Sequence, residues 1–191
     1  MTSTRADLRA ELRARRAALR PGERLAAADA VARHLGERPE LREPGYVAGY
    51  WAVNGELPLH AVQLRLAPDQ VWCLPVAMPD GGLRFAPWRA GDPLAPNRYG
   101  IPEPVAETTL APSEMAVVLL PLLGFARDGT RLGMGGGYYD RAFGFRRGQP
   151  APPRLVGVGY ACQEIEGLDA EAWDVPLDAI ATEAGFLAFG R

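Results

Sequence analysis

The sequence predicts an α/β fold: an open, mostly parallel mixed sheet flanked by helices in a Rossmann-like three-layer arrangement, preceded by a pair of helices. After the first 40 residues, strand-like segments alternate with helical ones. Residues 115–122 form a nearly continuous apolar run, which is typical of a strand buried on both faces of a sheet. A glycine-rich stretch, residues 124–137, then leads into a predicted helix. Such turns lie at the ligand-binding edge of open α/β sheets.

The N-terminal helical pair is predicted from apolar periodicity. In residues 4–19, Leu8, Leu12, Arg15/Arg16 and Leu19 recur at helical spacing. A Pro-Gly break follows, and a second amphipathic helix is predicted over residues 23–35.

The remaining elements follow from strand-like composition and from alternation. Residues 89–113 are rich in proline and polar side chains, and we expect irregular structure there. The whole chain, residues 1–191, is expected to form one domain. The predicted strands are residues 46–53, 71–76, 83–88 (an edge strand), 115–122, 154–160 and 179–182, with a short closing segment over 186–189 and helices over 58–66 and from Tyr138.

Every basic side chain apart from histidine is arginine, because the sequence contains no lysine. This excludes Schiff-base enzymes, P-loop NTPases and protein kinases, which need a central lysine. Only His34 and His60 are present, which argues against a multi-histidine metal site. Cys73 and Cys162 are isolated, which argues against a zinc knuckle or a redox motif. A bound phosphate must therefore be held by arginine, backbone amides or a hard cation.

No segment approaches the ~20 apolar residues that a membrane span requires, and the N-terminal segment lacks the apolar core of a signal peptide. Asp7 and Glu11 argue against a mitochondrial presequence. We therefore expect a cytoplasmic protein without a membrane partner. An acidic isoelectric point of about 5.8 argues against a nucleic-acid partner.

The loop over residues 131–141 combines two arginines, four glycines, two tyrosines and an aspartate. Glycines free the backbone to approach a ligand, and successive amides form an anion-binding nest. Arg131 stands at the loop entrance, where it could pair with a phosphate. Asp140 lies in the first helical turn, where it could bind Mg²⁺ or simply offset the helix dipole. The alternative interpretation is that the glycines form a flexible turn that binds no ligand.

The segment Arg131-Leu-Gly-Met-Gly-Gly-Gly-Tyr-Tyr-Asp-Arg141 closely resembles the signature of the 5-formyltetrahydrofolate cyclo-ligase family. Further resemblances follow in order along the chain. They are Arg5-Ala-Asp-Leu-Arg9, Tyr50-Trp51-Ala-Val-Asn54-Gly55-Glu56, Leu83-Arg-Phe-Ala-Pro-Trp88, Gly91-Asp-Pro-Leu94, Tyr99-Gly-Ile-Pro-Glu-Pro104 on the nucleotide side, and Trp173-Asp174-Val-Pro-Leu-Asp178 with Ala181-Thr182-Glu183. Two positions depart from the family: Arg5 stands where lysine is common, and Trp173 where histidine is common.

The resemblance implies that ATP and Mg²⁺ close 5-formyltetrahydrofolate into 5,10-methenyltetrahydrofolate, through a phosphorylated formyl group, with release of ADP and phosphate. Catalysis is assigned to Tyr138 and Arg131, and metal binding to Asp140 and Asp174. The implied ATP site comprises Arg5, Arg9, Arg131, Gly133, Met134, Gly135, Gly136, Gly137 and Tyr139. The implied folate site comprises Trp51, Glu56, Met134, Gly135, Gly136, Gly137 and Tyr138. We expect a monomer acting on these two small molecules.

Three alternatives stay open at the level of the sequence. The first is a sugar-phosphate isomerase or acyl-CoA transferase of similar architecture, which would not require ATP. The second is a non-catalytic module that binds a folate, a nucleotide or a nucleic acid. The third is a divergent relative that acts on another formylated or thiamine-like substrate.

Overall fold

The computed structural model describes residues 4–190 of the 191-residue chain. The bounds of its helices and strands are as follows. The helices are α1 (Arg5–Ala17), α2 (Pro21–Gly36), α3 (His60–Gln63) and α4 (Tyr138–Ala142); the strands are β1 (Gly45–Ala48), β2 (Gln70–Ala77), β3 (Leu83–Pro87), β4 (Leu94–Pro96), β5 (Pro102–Pro104), β6 (Met115–Pro121), β7 (Gly124–Phe125), β8 (Arg131–Leu132), β9 (Arg154–Val158), β10 (Ala179–Thr182) and β11 (Gly185–Ala188).

Seven strands form one sheet in the order β11-β10-β9-β6-β1-β2-β3. The five inner strands are parallel, and β3 and β11 add antiparallel edges on opposite sides. The predicted mixed, mostly parallel sheet is therefore confirmed. The chain builds outward from β1 in one direction and then, from β6, in the other. The neighbouring strands β1 and β6 thus form the topological switch point, where open α/β sheets bind ligands.

The two faces of the sheet have separate cores, as the apolar run in β6 predicts. Val117 and Leu119 pack on the side of α2 and α3, whereas Val118 and Leu120 pack with Phe143 on the side of α4. Helix α1 packs away from the sheet, and its Leu12 contributes to a third cluster with Leu132 of β8. None of the helices within residues 4–190 has the length and apolarity that a membrane span needs.

The predicted first strand, 46–53, is wrong in its second half, because β1 ends at Ala48. The Gly49 amide still donates to the Cys73 carbonyl at 2.9 Å, and a Cβ atom at that position would lie 2.1 Å from the indole of Trp72, so only glycine fits at the strand end. Asn54 and Gly55 then bend the chain with φ of 52° and 77°. The bend brings Trp51 and Glu56 to the carboxyl edge of the sheet instead of extending the strand.

Other differences are local. The helix predicted over 58–66 is a single turn, α3, and the second helix begins at Pro21 because proline is well suited to a first helical turn. Helix α1 ends at Ala17, short of Leu19. The irregular stretch 89–113 contains the hairpin β4–β5, and the glycine-rich stretch contains the hairpin β7–β8.

Candidate active site

Two adjoining cavities open at the switch point, at the carboxyl ends of β1 and β6. The larger has a volume of about 750 Å³ and the smaller about 150 Å³. The volume of the larger cavity suits a nucleotide or a drug-sized ligand. Every site residue named from the sequence lines one cavity or both. The wall that they share is formed by Val53, Glu56, Tyr99, Ile101, Pro121, Tyr138 and Tyr139.

The glycine loop forms one side of the larger cavity. Gly135 and Gly137 have φ of 102° and 65°, a region that favours glycine. The backbone N–H groups of residues 133–140 donate no hydrogen bond to the part of the chain that the structure describes. Consecutive unpaired donors at a cavity wall form a nest for an anion. Helix α4 spans only five residues, so these amides contribute more than a helix dipole does.

Three arginines reach the larger cavity. The Arg9 Nε donates to the Gly133 carbonyl at 3.0 Å, which fixes α1 against the loop. Arg5 donates to Asp174 at 2.7 Å and to the Asp169 carbonyl at 2.8 Å. Arg131 is buried and pairs with Asp140 at 2.5 Å, while its Nε has no partner among residues 4–190. The cavity thus combines positive charge with free amide donors, as a polyphosphate requires.

Asp140 and Asp174 both line the larger cavity, and each holds an arginine through one oxygen. Asp140 accepts from Arg131 and from the Val175 amide (3.0 Å) at Oδ1 alone. Asp174 accepts from Arg5 and from the Glu171 amide (2.9 Å) at Oδ2 alone. Within residues 4–190, no cluster of three or more His, Cys, Asp or Glu could hold a metal. Each of the two carboxylates therefore has one oxygen that accepts no hydrogen bond from residues 4–190. Two such oxygens fit Mg²⁺ if a substrate supplies phosphate oxygens as further ligands.

The smaller cavity lies beside the β1 bend and is lined mainly by apolar and aromatic side chains. Trp51 packs edge-on against Trp88, with their ring centroids 6.0 Å apart. Glu56 accepts from the Val53 amide at 3.0 Å. Burial is the main influence on the pKa of Glu56 and raises it, whereas the Val53 hydrogen bond and Arg16 lower it. The arrangement suits a flat, hydrogen-bonding heterocycle held against the Glu56 carboxylate.

Tyr138 lies in the wall between the cavities, and its hydroxyl is held by a cluster that sequence reasoning did not assign. The Tyr99 hydroxyl lies 2.7 Å from it, and Arg98 donates to the same oxygen. Hydrogen bonds from Tyr99 and then Arg98 lower the pKa of Tyr138. The family resemblance over residues 99–104 includes Tyr99 of this loop, but it predicted that the loop borders the nucleotide. In the structure the loop borders both cavities, and Glu103 lines the smaller one.

Tyr139, assigned from the resemblance to ATP, borders both cavities and stacks on Phe143 with ring centroids 6.3 Å apart. Burial raises its pKa well above the usual range. Trp173, where the family commonly has histidine, lines the larger cavity and is largely exposed. Its indole offers a donor but no proton acceptor.

Comparisons with known proteins agree with the motif resemblance. The sequence model of the 5-formyltetrahydrofolate cyclo-ligase family matches residues 1–183. A 5-formyltetrahydrofolate cyclo-ligase of Haemophilus influenzae is 34% identical over 181 residues, 92% of this chain and 96% of the relative. One of Escherichia coli K12 is 34% identical over 177 residues, 90% and 96% of the two chains. The NMR structure of Aquifex aeolicus 5,10-methenyltetrahydrofolate synthetase superimposes with a TM-score of 0.83 at 28% identity, covering 98% of this chain and 94% of that one.

Proposed function

Because the chain belongs to the 5-formyltetrahydrofolate cyclo-ligase family and is an enzyme of that kind, we propose that it uses ATP and Mg²⁺ to cyclise 5-formyltetrahydrofolate. The products are 5,10-methenyltetrahydrofolate, ADP and phosphate. The observation that carries the proposal is the pair of adjoining cavities with Tyr138 in their shared wall. One cavity has the amides and arginines that a triphosphate needs, and the other has the aromatic walls and the carboxylate that a pterin needs.

ATP is assigned to the larger cavity. The amides of residues 133–137 and the guanidinium groups of Arg5, Arg9 and Arg131 would hold its phosphates. Asp140 and Asp174 would hold Mg²⁺, which supplies charge neutralisation at the transferring phosphoryl group. The Arg131–Asp140 and Arg5–Asp174 pairs keep these four side chains in place before ligand arrives. In this arrangement the γ-phosphate would lie close to Tyr138.

The folate is assigned to the smaller cavity, with Trp51 against the pterin and Glu56 accepting its N–H groups. The formyl oxygen attacks the γ-phosphorus, the bond to ADP breaks, and an iminium phosphate forms. N10 then attacks the formyl carbon and loses its proton as the carbon–oxygen bond to phosphate breaks. The side chains act mainly by positioning and by stabilising charge, as in phosphoryl transfer generally. Tyr138 would donate to the formyl oxygen or to the developing phosphate.

An isotope experiment tests this route. If 5-formyltetrahydrofolate labelled with ¹⁸O in the formyl group is converted, the label should appear in inorganic phosphate. Label recovered in water would contradict a phosphorylated formyl group. For the metal, Mn²⁺ should bind the ATP complex of the wild type, as measured by electron paramagnetic resonance, and should bind Asp140→Asn at least ~10-fold more weakly. Equal Mn²⁺ binding in the two proteins would remove Asp140 from the metal site.

A further inference from the structure

Trp173 is a large aromatic side chain that lies exposed at the wall of the larger cavity. Its exposed fraction is 62%, whereas that of Trp72, in the core, is 6%. Within residues 4–190, its indole stacks on no other ring or guanidinium, and its N–H donates no hydrogen bond. Met134, which is 45% exposed, lines the same cavity. Single exposed hydrophobic residues are common on protein surfaces, so the position of Trp173 within the site decides whether it has a role.

That position distinguishes Trp173 from the other aromatic residues of the site. Tyr99, Tyr138 and Tyr139 line the larger cavity but also the smaller one. Trp173 is the one aromatic residue within residues 4–190 that lines the larger cavity alone. It therefore lies outside the wall that the two cavities share. In the proposed reaction the γ-phosphate lies at that wall, so the base, at the other end of the nucleotide, lies in the part of the cavity that the folate does not border.

Hydrogen bonds hold the backbone of Trp173 while its ring stays exposed. The Trp173 carbonyl accepts from Arg147 at 2.6 Å. In the turn around it, the Asp174 amide donates to the Glu171 carbonyl, and the Glu171 amide donates to the Asp174 carboxylate, each at 2.9 Å. The same carboxylate pairs with Arg5 at 2.7 Å. A ring on such a fixed turn loses little conformational entropy when a ligand covers it.

The next residue along the chain connects Trp173 to the phosphate side of the cavity. Asp174 and its partner Arg5 are the groups assigned above to Mg²⁺ and to the triphosphate. Consecutive Cα atoms are about 3.8 Å apart, so a nucleotide whose phosphates are held at Asp174 has its base within reach of the indole. Amides and arginines hold phosphate but offer a base no flat apolar surface. An aromatic side chain does, because every base has a π-face on which it can stack.

We propose that Trp173 is the platform on which the base of the nucleotide stacks, so that its indole contributes affinity for ATP that the phosphate-binding groups do not supply. The proposal rests on the assignment of ATP to the larger cavity under the proposed function. It gives a role to the position where the cyclo-ligase family commonly has histidine. Both rings have a flat aromatic face on which a base can stack, although only histidine can also accept a proton.

The test compares Trp173→Ala with Leu64→Ala, which truncates an exposed apolar side chain outside both cavities. The readout is calorimetric titration, with Mg²⁺ present, using ATP and inorganic tripolyphosphate, which carries the phosphates without ribose or base. Trp173→Ala should bind ATP about tenfold more weakly than the wild type, the scale of losing one base–aromatic stack. Its affinity for tripolyphosphate should stay within about twofold, because independent contacts are additive within that margin. Leu64→Ala should bind both probes like the wild type.

The two probes separate base binding from a structural role of the side chain. An equal loss of affinity for ATP and for tripolyphosphate would mean that Trp173 only supports Asp174, and it would overturn the proposal. Unchanged ATP affinity in Trp173→Ala would also overturn it, while the assignment of ATP to the cavity would stand. If the wild type binds neither probe, the phosphate site of the proposed function fails, and the base platform fails with it.

Tryptophan fluorescence gives a second measurement, and it begins with the wild type. Stacking of a purine quenches indole emission, so ATP should quench the fluorescence of the wild type and tripolyphosphate should not. Trp173→Phe keeps a flat ring and should retain ATP affinity within about threefold, but its fluorescence should no longer be quenched by ATP. Trp51, Trp72 and Trp88 remain in that variant as an internal reference. Quenching of the same size in Trp173→Phe would move the base elsewhere and overturn the proposal.

Discussion

At the scale of single residues, Tyr138 has the most specific prediction. Its hydroxyl lies in the wall between the two cavities, accepts a hydrogen bond from Arg98 and shares a second one with the Tyr99 hydroxyl. A donor aimed at developing charge contributes to the transition state more than to the bound substrate. The neighbours that hold this hydroxyl, Arg98 and Tyr99, belong to a distant loop, so the sequence motif alone does not show them.

Tyr138→Phe should lower kcat by about 100-fold, the scale of losing one donor to developing charge. The KM for folate should change by less than about threefold. Steady-state kinetics measures both values. Tyr46→Phe is a matched control, because its hydroxyl lies outside both cavities. A Tyr138→Phe enzyme with the wild-type kcat would remove Tyr138 from the chemistry.

Tyr99→Phe should shift the alkaline limb of the pH–rate profile. Tyr99 is the first cause of the lowered pKa of Tyr138. Without it that pKa rises, so the neutral, donating form of Tyr138 persists to higher pH. The alkaline fall in kcat should therefore move to higher pH in Tyr99→Phe, while the acidic limb stays in place. A shift to lower pH would contradict the assignment of Tyr138 as a donor.

At the scale of elements, sequence patterns predicted what is decided locally. Strand β6 is continuously apolar and is buried on both faces, and α4 begins at Tyr138 as predicted. The end of β1 at Ala48 could not be predicted, because the residues that follow it up to the turn at Asn54 and Gly55 are as strand-like in composition as the strand itself. Arg16 stands at helical spacing after Leu12, and this spacing was the one indication in the sequence that its side chain could be buried. A charged residue in an apolar stripe is usually read as solvated, and only the tertiary structure shows that it is buried.

The glycine loop gives a prediction for this element. Gly135 has φ of 102°, where a side chain adds strain of about 1–3 kcal/mol. Gly135→Ala should therefore distort the nest and weaken ATP binding by about tenfold or more, as measured by calorimetry, while folate binding changes less. Gly148→Ala is the control, since a Cβ there meets nothing within 4 Å. Unchanged ATP affinity in Gly135→Ala would contradict the assignment of the nest to phosphate.

The segment after α4 is fixed by a buried ion pair. Arg146 donates twice to Asp178 at 2.8 Å, and Asp178 also accepts from the Leu155 amide of β9 at 2.7 Å. Asp178→Ala leaves the buried Arg146 guanidinium without a carboxylate to balance its charge and should lower the free energy of unfolding by about 3 kcal/mol. Glu164→Ala, which breaks an exposed pair with Arg127, should have little effect. Equal losses in urea titrations of the two variants would contradict this difference.

At the scale of the whole molecule, the site exists because distant segments meet at the switch point of the sheet. The bend after β1 brings Glu56, the loop after β6 brings Tyr138 and Asp140, and α1 brings Arg5 and Arg9. The sequence predicted which residue types each segment carries, and it also predicted the edge of the sheet at which these segments meet. The pairing of Arg131 with Asp140 and of Arg5 with Asp174 was not, because such pairs depend on side-chain positions fixed by tertiary packing.

Of the three alternatives left open by the sequence, the family assignment argues against an isomerase, a transferase or a module without catalysis. The choice of formylated substrate rests on the smaller cavity, where the Glu56 carboxylate lies among aromatic side chains. Within residues 4–190, the Glu56 carboxylate accepts only the Val53 amide at one oxygen, so a substrate without an N–H edge would leave its other oxygen without a donor, which costs binding energy. We therefore expect 5-formyltetrahydrofolate to be strongly preferred over formylated compounds that lack the pterin.

The most direct test of the central claim is the near-ultraviolet absorbance of the methenyl product when purified protein meets 5-formyltetrahydrofolate, ATP and Mg²⁺. We predict a rise in absorbance, with one ADP released for each methenyl group formed. The rise should be lost without ATP, with a metal chelator, and in Asp140→Asn. No rise while ATP still binds tightly, or a rise that needs no ATP, would contradict the account.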